Sequence, residues 1–128
     1  MAGVQRFAPS GDSLEMEAVP SEQILNGSPQ TGWKLLASLP NLDVGVWEHS
    51  PGTSTDTEEE EVFVVLSGRA TVVVRDQQGM EVARHEFSCG DVGVLDEGAL
   101  TTWIVHETLR KVFVARSESQ QPSWVSEH

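Results

Sequence analysis

One carboxylate, Glu61, lies on the apolar face of a predicted strand, where acidic side chains are unusual. It is the second residue of the most strand-like run in the chain, EEVFVVLSGRATVVV (60–74), and strand alternation puts it on the same face as Phe63 and Val65. A carboxylate on an apolar face is costly unless it is paired, hydrogen-bonded or functional. Apolar neighbours also raise a carboxyl pKa, which suits general acid–base work. Glu61 is therefore the candidate catalytic residue.

The charge balance of the chain limits its partners. Asp and Glu number 20 against 8 Lys and Arg, a formal net charge of −12. Such acidity repels phosphate backbones and anionic lipid surfaces, so we expect neither a nucleic-acid nor a membrane partner. It favours either simple solubility or a cationic, amine-bearing ligand. The run at 58–60 is interpreted as a solvated approach to the strand, not as a clamp for a charged ligand.

Short strand-like runs separated by Gly- or Pro-containing turns must position these groups. The predicted strands are 32–39, 42–48, 62–66, 70–74, 80–87, 92–95, 101–105 and 111–115. Ser67-Gly68 interrupts one long apolar run, which predicts two adjacent antiparallel strands on either side of it. Residues 50–57 are predicted as a loop and 21–27 as a single helical turn. The pattern indicates an all-β, single-domain sandwich or barrel.

Four residues resemble the two sequence motifs of the cupin superfamily. The first motif, G-x5-H-x-H-x3–4-E-x6-G, ends in a glutamate and a glycine that match Glu61 and Gly68. The second, G-x5-P-x-G-x2-H, has two glycines that match Gly90 and Gly98. The resemblance implies a cupin fold, a double-stranded β-helix or jelly-roll barrel, over about residues 25–116.

The same motifs differ from the family at every histidine. The histidine positions hold Thr55 and Thr57, or Ser54 and Asp56 with the other spacer, and Thr101. Glu61 is then the one usual metal ligand left. Threonine hydroxyls are poor ligands for transition metals, so we expect no such metal and no other cofactor. A Mg²⁺ or Ca²⁺ site built from Asp56, Glu61 and a neighbour is the alternative.

A finer resemblance is to cupins of the (S)-ureidoglycine aminohydrolase type, a group that also contains ethanolamine-utilisation cupins. It rests on Val46-Trp47-Glu48, Pro51-Gly52, Glu61 with 65–68, Gly90-Asp91, Gly98, Thr102-Trp103 and 106–111. One barrel hosts many chemistries, and the activity of that group does not transfer without its metal ligands. Whether the chain is an enzyme is therefore left open.

The resemblance places Glu61 and Thr101 inside the barrel, and alternation puts Trp103 beside Thr101. The predicted pocket lining is Trp47, Asp56, Glu61, Phe63, Thr101 and Trp103. Tryptophan offers a flat wall on which an ammonium group can rest. The alternatives are that the two tryptophans only fill the core, and that Glu61 is hydrogen-bonded to strand backbone or to Thr101.

Two functions of different class follow. The first is a cupin that binds a small polar, amine-bearing metabolite in its barrel without a transition metal. The second is a metal-independent enzyme, aminohydrolase- or isomerase-like, that uses Glu61 for acid–base chemistry.

The remaining expectations concern organisation and location. The chain divides into an N-terminal extension (1–24), a cupin barrel (25–116) and a polar C-terminal tail (117–128). The run at 62–66 is apolar on both faces, so both faces need cover, and we expect a homodimer. A single cysteine, Cys89, excludes an intrachain disulfide and fits a cytoplasmic protein.

Overall fold

Antiparallel strands form almost all of the computed structural model, which describes residues 3–117. The strands are β1 (Glu17–Ala18), β2 (Ile24–Asn26), β3 (Gln30–Leu39), β4 (Leu42–His49), β5 (Gly52–Thr57), β6 (Glu61–Arg75), β7 (Glu81–Phe87), β8 (Val92–Leu95) and β9 (Leu100–Arg116). Two short 3-10 turns, Pro9–Gly11 and Ser21–Gln23, are the helical segments of this part of the chain. Neither has the length or composition of a membrane span. The all-β prediction is confirmed.

The two longest strands, β6 and β9, hold the architecture together. They pair with each other from Glu61 opposite Ala115 to Arg75 opposite Leu100. The C-terminal half of β9 also pairs with β4 and its N-terminal half with β5, while β6 pairs with β8 and then with β7. Both strands therefore belong to two sheets, β1-β3-β4-β9-β6-β8 and β2-β5-β9-β6-β7. Sharing them folds the sheets face to face into the predicted jelly-roll barrel.

The predicted pair of strands around Ser67-Gly68 is wrong, because the chain does not turn there. Residues 61–75 form one strand, with register shifts between Val65 and Ala70. Gly68 has φ +88°, and a Cβ on it would clash with the Thr108 carbonyl of β9. The glycine therefore marks a bulge that bends β6 from one sheet into the other. Likewise the predicted strands 101–105 and 111–115 are parts of one continuous strand, β9.

Two further expectations near the N-terminal half need correction. The predicted loop at 50–57 is mostly strand, since β5 pairs with both β9 and β2 and its threonines suit a pleated surface. The predicted helical turn at 21–27 covers only Ser21–Gln23, after which β2 begins. The C-terminal tail lies, from residue 118 onward, outside the described residues.

The core lies between the two sheets. Its buried residues are Phe63, Val65, Ala70, Val72, Leu95, Trp103, Val105 and Leu109. The inward face of β6 is confirmed at Phe63 and Val65, both 1% exposed. The opposite face of β6 and β8 is left uncovered in the single chain. Its exposed side chains, here called the outer valine stripe, are Val62, Val64, Val92 and Val94.

A buried arginine fixes the N-terminal segment to the barrel. The Arg110 guanidinium forms an ion pair with Glu48 at 2.6 Å and donates hydrogen bonds to the carbonyls of Pro9 and Asp12, at 2.7 and 2.6 Å. Charged donors make such bonds strong. The segment then runs along β3 through β1, and its Val19 is buried beside the barrel opening.

The bulge geometry makes a prediction about glycine substitution. Gly68→Ala should lower the free energy of unfolding by about 3 kcal/mol, since it adds a backbone clash to a left-handed conformation. Gly79→Ala is the matched control, because Gly79 has φ +86° with open space around it. It should cost only about 1 kcal/mol. Urea denaturation of both variants makes the comparison, and equal losses would rule out the close approach of β6 to Thr108.

Candidate functional site

A cavity of about 560 Å³ lies between the two sheets and opens at one end of the barrel. One wall is the sheet of β3, β4, the C-terminal half of β9 and the start of β6, which carries Lys111 and Glu61. The other wall is β5 with the N-terminal half of β9 and the 58–60 segment, and the turn at Ser21–Gln23 lies at the opening. The lining residues are Val19, Pro20, Gln23, Thr31, Trp33, Leu35, Asp43, Trp47, His49, Ser54, Thr55, Asp56, Glu58, Glu59, Glu61, Trp103, Lys111, Phe113, Ala115 and Arg116.

Four of the six residues predicted for the pocket line this cavity: Trp47, Asp56, Glu61 and Trp103. The other two lie behind its wall. Phe63 is buried in the core, where its ring is 5.9 Å from that of Trp103. Thr101 is buried and donates its hydroxyl to Glu58. The structure therefore places four of the six residues at the cavity and the other two in the layer behind it.

The central residue of the site is one that the sequence reasoning missed, Lys111. Its side chain is buried, and its Nζ lies 2.5 Å from Oε2 of Glu61. The same ammonium lies 4.5 Å from the ring centroids of Trp47 and Phe63 and 4.9 Å from that of Trp103. The chain itself thus supplies a cation to the aromatic walls that the sequence suggested for a ligand's amine.

A pattern in the sequence could have located Lys111. It alternates along β9 with the inward Leu109 and with Phe113, so period two already places it inside. Its charge argued for the surface, since lysine is almost never fully buried unless it is paired. The partner, Glu61, comes from a strand 50 residues away in sequence, which local reasoning does not connect.

The ion pair and the rings stabilise each other's placement. Burial raises the pKa of Glu61 above its usual value, while the neighbouring Lys111 ammonium opposes that rise. The expected direction of the shift is therefore what the structure gives. Breaking a buried pair leaves an uncompensated charge, which typically costs about 3–5 kcal/mol. The three rings add cation–π attraction to the same ammonium, which is on the order of 2 kcal/mol for one desolvated pair.

The interpretation of 58–60 as a solvated run is wrong for Glu58. Its side chain is buried, and Oε2 accepts hydrogen bonds from the Thr101 hydroxyl at 2.6 Å and from Trp103 Nε1 at 2.8 Å. Backbone bonds to Gly98 and Ala99 hold the segment against the β8–β9 turn and so direct this glutamate inward. Only the later glutamates of the run are exposed.

Asp56 supplies a second carboxylate at the opening of the cavity. The side chain reaches solvent, yet the surrounding protein removes enough water to raise its pKa to about 6, and the nearby Glu58 carboxylate adds to the rise. Within residues 3–117, neither Asp56 nor Glu59 forms an ion pair. These two carboxylates therefore face the cavity without a cation of their own.

His49 contributes to the wall but has both ring nitrogens engaged. Nδ1 lies 2.6 Å from the Ser50 carbonyl and Nε2 lies 2.8 Å from the Ser54 hydroxyl. Burial lowers the pKa of His49, so the neutral ring is favoured. A neutral, doubly hydrogen-bonded imidazole braces β4 against β5 and is not available as a metal ligand.

The donor set does not fit a transition metal. Thr101, at one histidine position of the cupin motifs, is bonded to Glu58, and Glu61 is paired with Lys111. The positive charge of the Lys111 ammonium would also repel a metal cation at this position. In the part of the chain that the structure describes, no three His, Cys, Asp or Glu side chains cluster closely enough to hold a metal ion. A Mg²⁺ or Ca²⁺ site built from Asp56 and Glu61 would have to compete with Lys111 for the Glu61 carboxylate.

The buried pair predicts strong coupling between its two members. Lys111→Met and Glu61→Gln should each lower the free energy of unfolding by about 3 kcal/mol, because each leaves one partner buried alone. The double variant should lose much less than the sum, since neither charge is then left unpaired. Chemical denaturation of the four proteins at pH 7 gives the coupling energy.

A surface pair serves as the control for this cycle. Arg69 and Glu107 lie 3.0 Å apart with both side chains more than half exposed, so Arg69→Met should change stability by no more than about 0.5–1 kcal/mol. Additive losses for Lys111 and Glu61 would contradict the pairing inside the barrel.

Comparison with known proteins identifies the family. The family model of the EutQ-like cupin domain matches residues 37–113. The chain is similar in structure to the EutQ protein of Clostridium difficile, with 22% identity and a TM-score of 0.57 over 73% of this chain and 69% of that one. It is also similar to a protein of Salmonella typhimurium named for ethanolamine utilization (14% identity, TM-score 0.56, 82% and 98% covered).

A eukaryotic domain shares the fold as well. The cupin domain of Schizosaccharomyces pombe Cnp3 has 14% identity and a TM-score of 0.59, with 89% of this chain and 70% of that one covered. No curated protein matched the chain by sequence. Identities this low show the fold alone, but the family model spans more than half of the chain. The chain therefore belongs to the family of EutQ-like cupin domains.

Proposed function

We propose that the chain binds a small polar, amine-bearing molecule in the outer part of its barrel cavity, without a transition metal. The observation that carries this is the charge of the lining. Five carboxylates, Asp43, Asp56, Glu58, Glu59 and Glu61, face two cations, Lys111 and Arg116. A surplus of negative charge in a cleft with low-dielectric walls attracts cations and repels anions.

The inner end of the cavity supports the same ligand chemistry. Its carboxylate and three rings already stabilise one ammonium group, that of Lys111. That position is filled, so a second amine has to bind nearer the opening. Asp56 and Glu59 lie there, and an ammonium between them would gain the ionic partner that each of them lacks.

Asp56→Asn should weaken amine binding about tenfold at pH 7.5, because it removes a charged acceptor. Ethanolamine is a suitable probe, since one structural relative is named for its utilization. Affinity in the unmodified protein should also fall as the pH drops from 7.5 to 5, because the Asp56 carboxylate takes up a proton near pH 6. Isothermal calorimetry measures both effects, with ethylene glycol as the uncharged probe.

Stability separates lost binding from lost structure in this experiment. The folded-state pKa of Asp56 is raised, so ionisation near pH 6 costs stability that the neutral asparagine does not lose. Asp56→Asn should therefore melt no lower than the unmodified protein at pH 7.5. Glu107→Gln, at an exposed site outside the cavity lining, is the control for binding. Equal affinity for ethanolamine and ethylene glycol would contradict the proposal.

The same preparation tests metal independence. The protein should contain no stoichiometric transition metal, and neither its melting temperature nor its amine affinity should respond to a chelator. About one metal per chain, lost together with stability on chelation, would refute this part of the proposal.

One observation favours a second candidate, a metal-independent enzyme with aminohydrolase- or isomerase-like acid–base chemistry. Glu61 has a raised pKa and lies 2.5 Å from the Lys111 amine, an arrangement that can hold and exchange a proton. The ion pair itself favours a bracing role. Under that role Glu61→Gln lowers the melting temperature and spares ligand binding; a catalytic base would lose turnover with the fold nearly intact.

We further propose a homodimer that covers the outer valine stripe. Its four side chains lie on two paired strands, Val62 opposite Val94 and Val64 opposite Val92, and form an exposed apolar surface. A two-fold pairing of this face would remove it from water in both copies. Separately, the single cysteine, Cys89, leads us to propose a cytoplasmic location.

Val92→Glu and Val94→Glu together should convert the dimer to a monomer, because a desolvated carboxylate in each copy opposes pairing. Both side chains are more than half exposed in the single chain, so the fold should tolerate the change. Val82→Glu, also exposed but on β7, is the control. Light scattering at micromolar concentration gives the mass, and a monomeric unmodified protein would reject the dimer.

A further inference from the structure

Two large apolar side chains at the cavity, Trp33 and Leu35, are exposed without an evident structural need. Trp33 is 64% exposed and Leu35 is 47% exposed, and both line the cavity. Tryptophan is usually well buried, and an exposed apolar patch beside a cavity marks a binding surface. β1 pairs with β3 only at Gln30 and Thr31, so β3 is an edge strand of the described sheet at Trp33 and Leu35.

The sheet register shows how the two residues continue the site. Trp33 lies opposite Trp47 on β4, and Trp47 lies opposite Lys111 on β9. Adjacent strands are about 4.8 Å apart, so these residues form one row across the inner face of the sheet. The Lys111 ammonium rests over the Trp47 ring, and Trp33 is the next aromatic in the row toward the edge.

The neighbouring row supplies a floor. Leu35 lies opposite Gly45, and Gly45 lies opposite Phe113. Because Gly45 has no side chain, the Phe113 ring occupies the space above it, where a Cβ would clash with that ring. Trp33, Leu35 and Phe113 thus form a continuous apolar surface, here called the shelf, that leads from the charged inner end of the cavity to its edge.

We infer that the amine-bearing ligand also has a flat or apolar body that lies on the shelf. The ligand class is then an aryl- or alkylamine, with its ammonium at Asp56 and Glu59 and its body against Trp33 and Leu35. The inference rests on the proposed amine site and adds the apolar body of the ligand, which the two carboxylates of that site do not contact. The cavity volume of about 560 Å³ falls within the roughly 300–1,000 Å³ of pockets that bind drug-sized ligands. This volume is larger than a compact amine such as ethanolamine requires.

Three probes separate the shelf from the charged site: 2-phenylethylamine has both parts, ethanolamine has the head alone, and 3-phenylpropionate has the body with the opposite charge. By calorimetry, 2-phenylethylamine should bind the unmodified protein at least about tenfold more tightly than ethanolamine. 3-Phenylpropionate should bind weakest. Trp33→Ala should reduce the affinity for 2-phenylethylamine about tenfold and leave that for ethanolamine unchanged, whereas Trp33→Phe should retain most of it.

Leu25→Ala is the matched control, because Leu25 is equally exposed but lies on β2 outside the cavity lining. Equal binding of both amines, unaffected by Trp33→Ala, would overturn the shelf and leave the amine site standing. Tight binding of 3-phenylpropionate would instead support the shelf and contradict the amine site. A change of mass on light scattering with Trp33→Ala would also overturn the inference, since the shelf would then be a protein interface.

Discussion

The ion pair of Lys111 and Glu61 is the interaction on which the rest of the site depends. It joins the two shared strands inside the barrel and gives three aromatic rings a common cation. Neither charge tolerates this environment alone, so the pair and the apolar wall around it stand or fall together. The other carboxylates at the opening have no share in this ion pair, so they remain available to solvent and to a ligand. Where the cupin motifs carry histidines and a glutamate, this chain has an internal ammonium paired with that glutamate.

Sequence alternation predicted a good part of this arrangement. It put Glu61, Phe63 and Val65 on one face, and the resemblance to the cupin motifs implied the jelly-roll barrel and located the missing histidines. The prediction from the sequence failed where the charge of a residue favoured solvent although its place in the strand pattern favoured the core. Glu58 stands in a run of four glutamates and was assigned to solvent by its charge, whereas Lys111 follows the same period as its buried neighbours and was given no role at all.

The prediction of a turn at Gly68 was wrong for a different reason. A glycine between two apolar runs is compatible with a hairpin turn and with a bulge, and local sequence does not distinguish them. The choice is made by β9, which runs alongside β6 and crosses the bend at Thr108. A contact between residues so distant in sequence has no local signal. The same limit hid the partner of Glu61 and the burial of β5.

The sharing of β6 and β9 between the sheets also orders the assembly of the barrel. At one end of their ladder Arg75 and Thr102 are 27 residues apart, whereas Glu61 and Lys111 near the other end are 50 apart. Closing the shorter loop costs about 0.5 kcal/mol less, and each pair formed there brings the next within reach. We therefore expect the ladder to form first at its Arg75 end and to extend toward the cavity, so that the charged pair is buried late. Native-state hydrogen exchange would record that gradient as early opening of the cavity end.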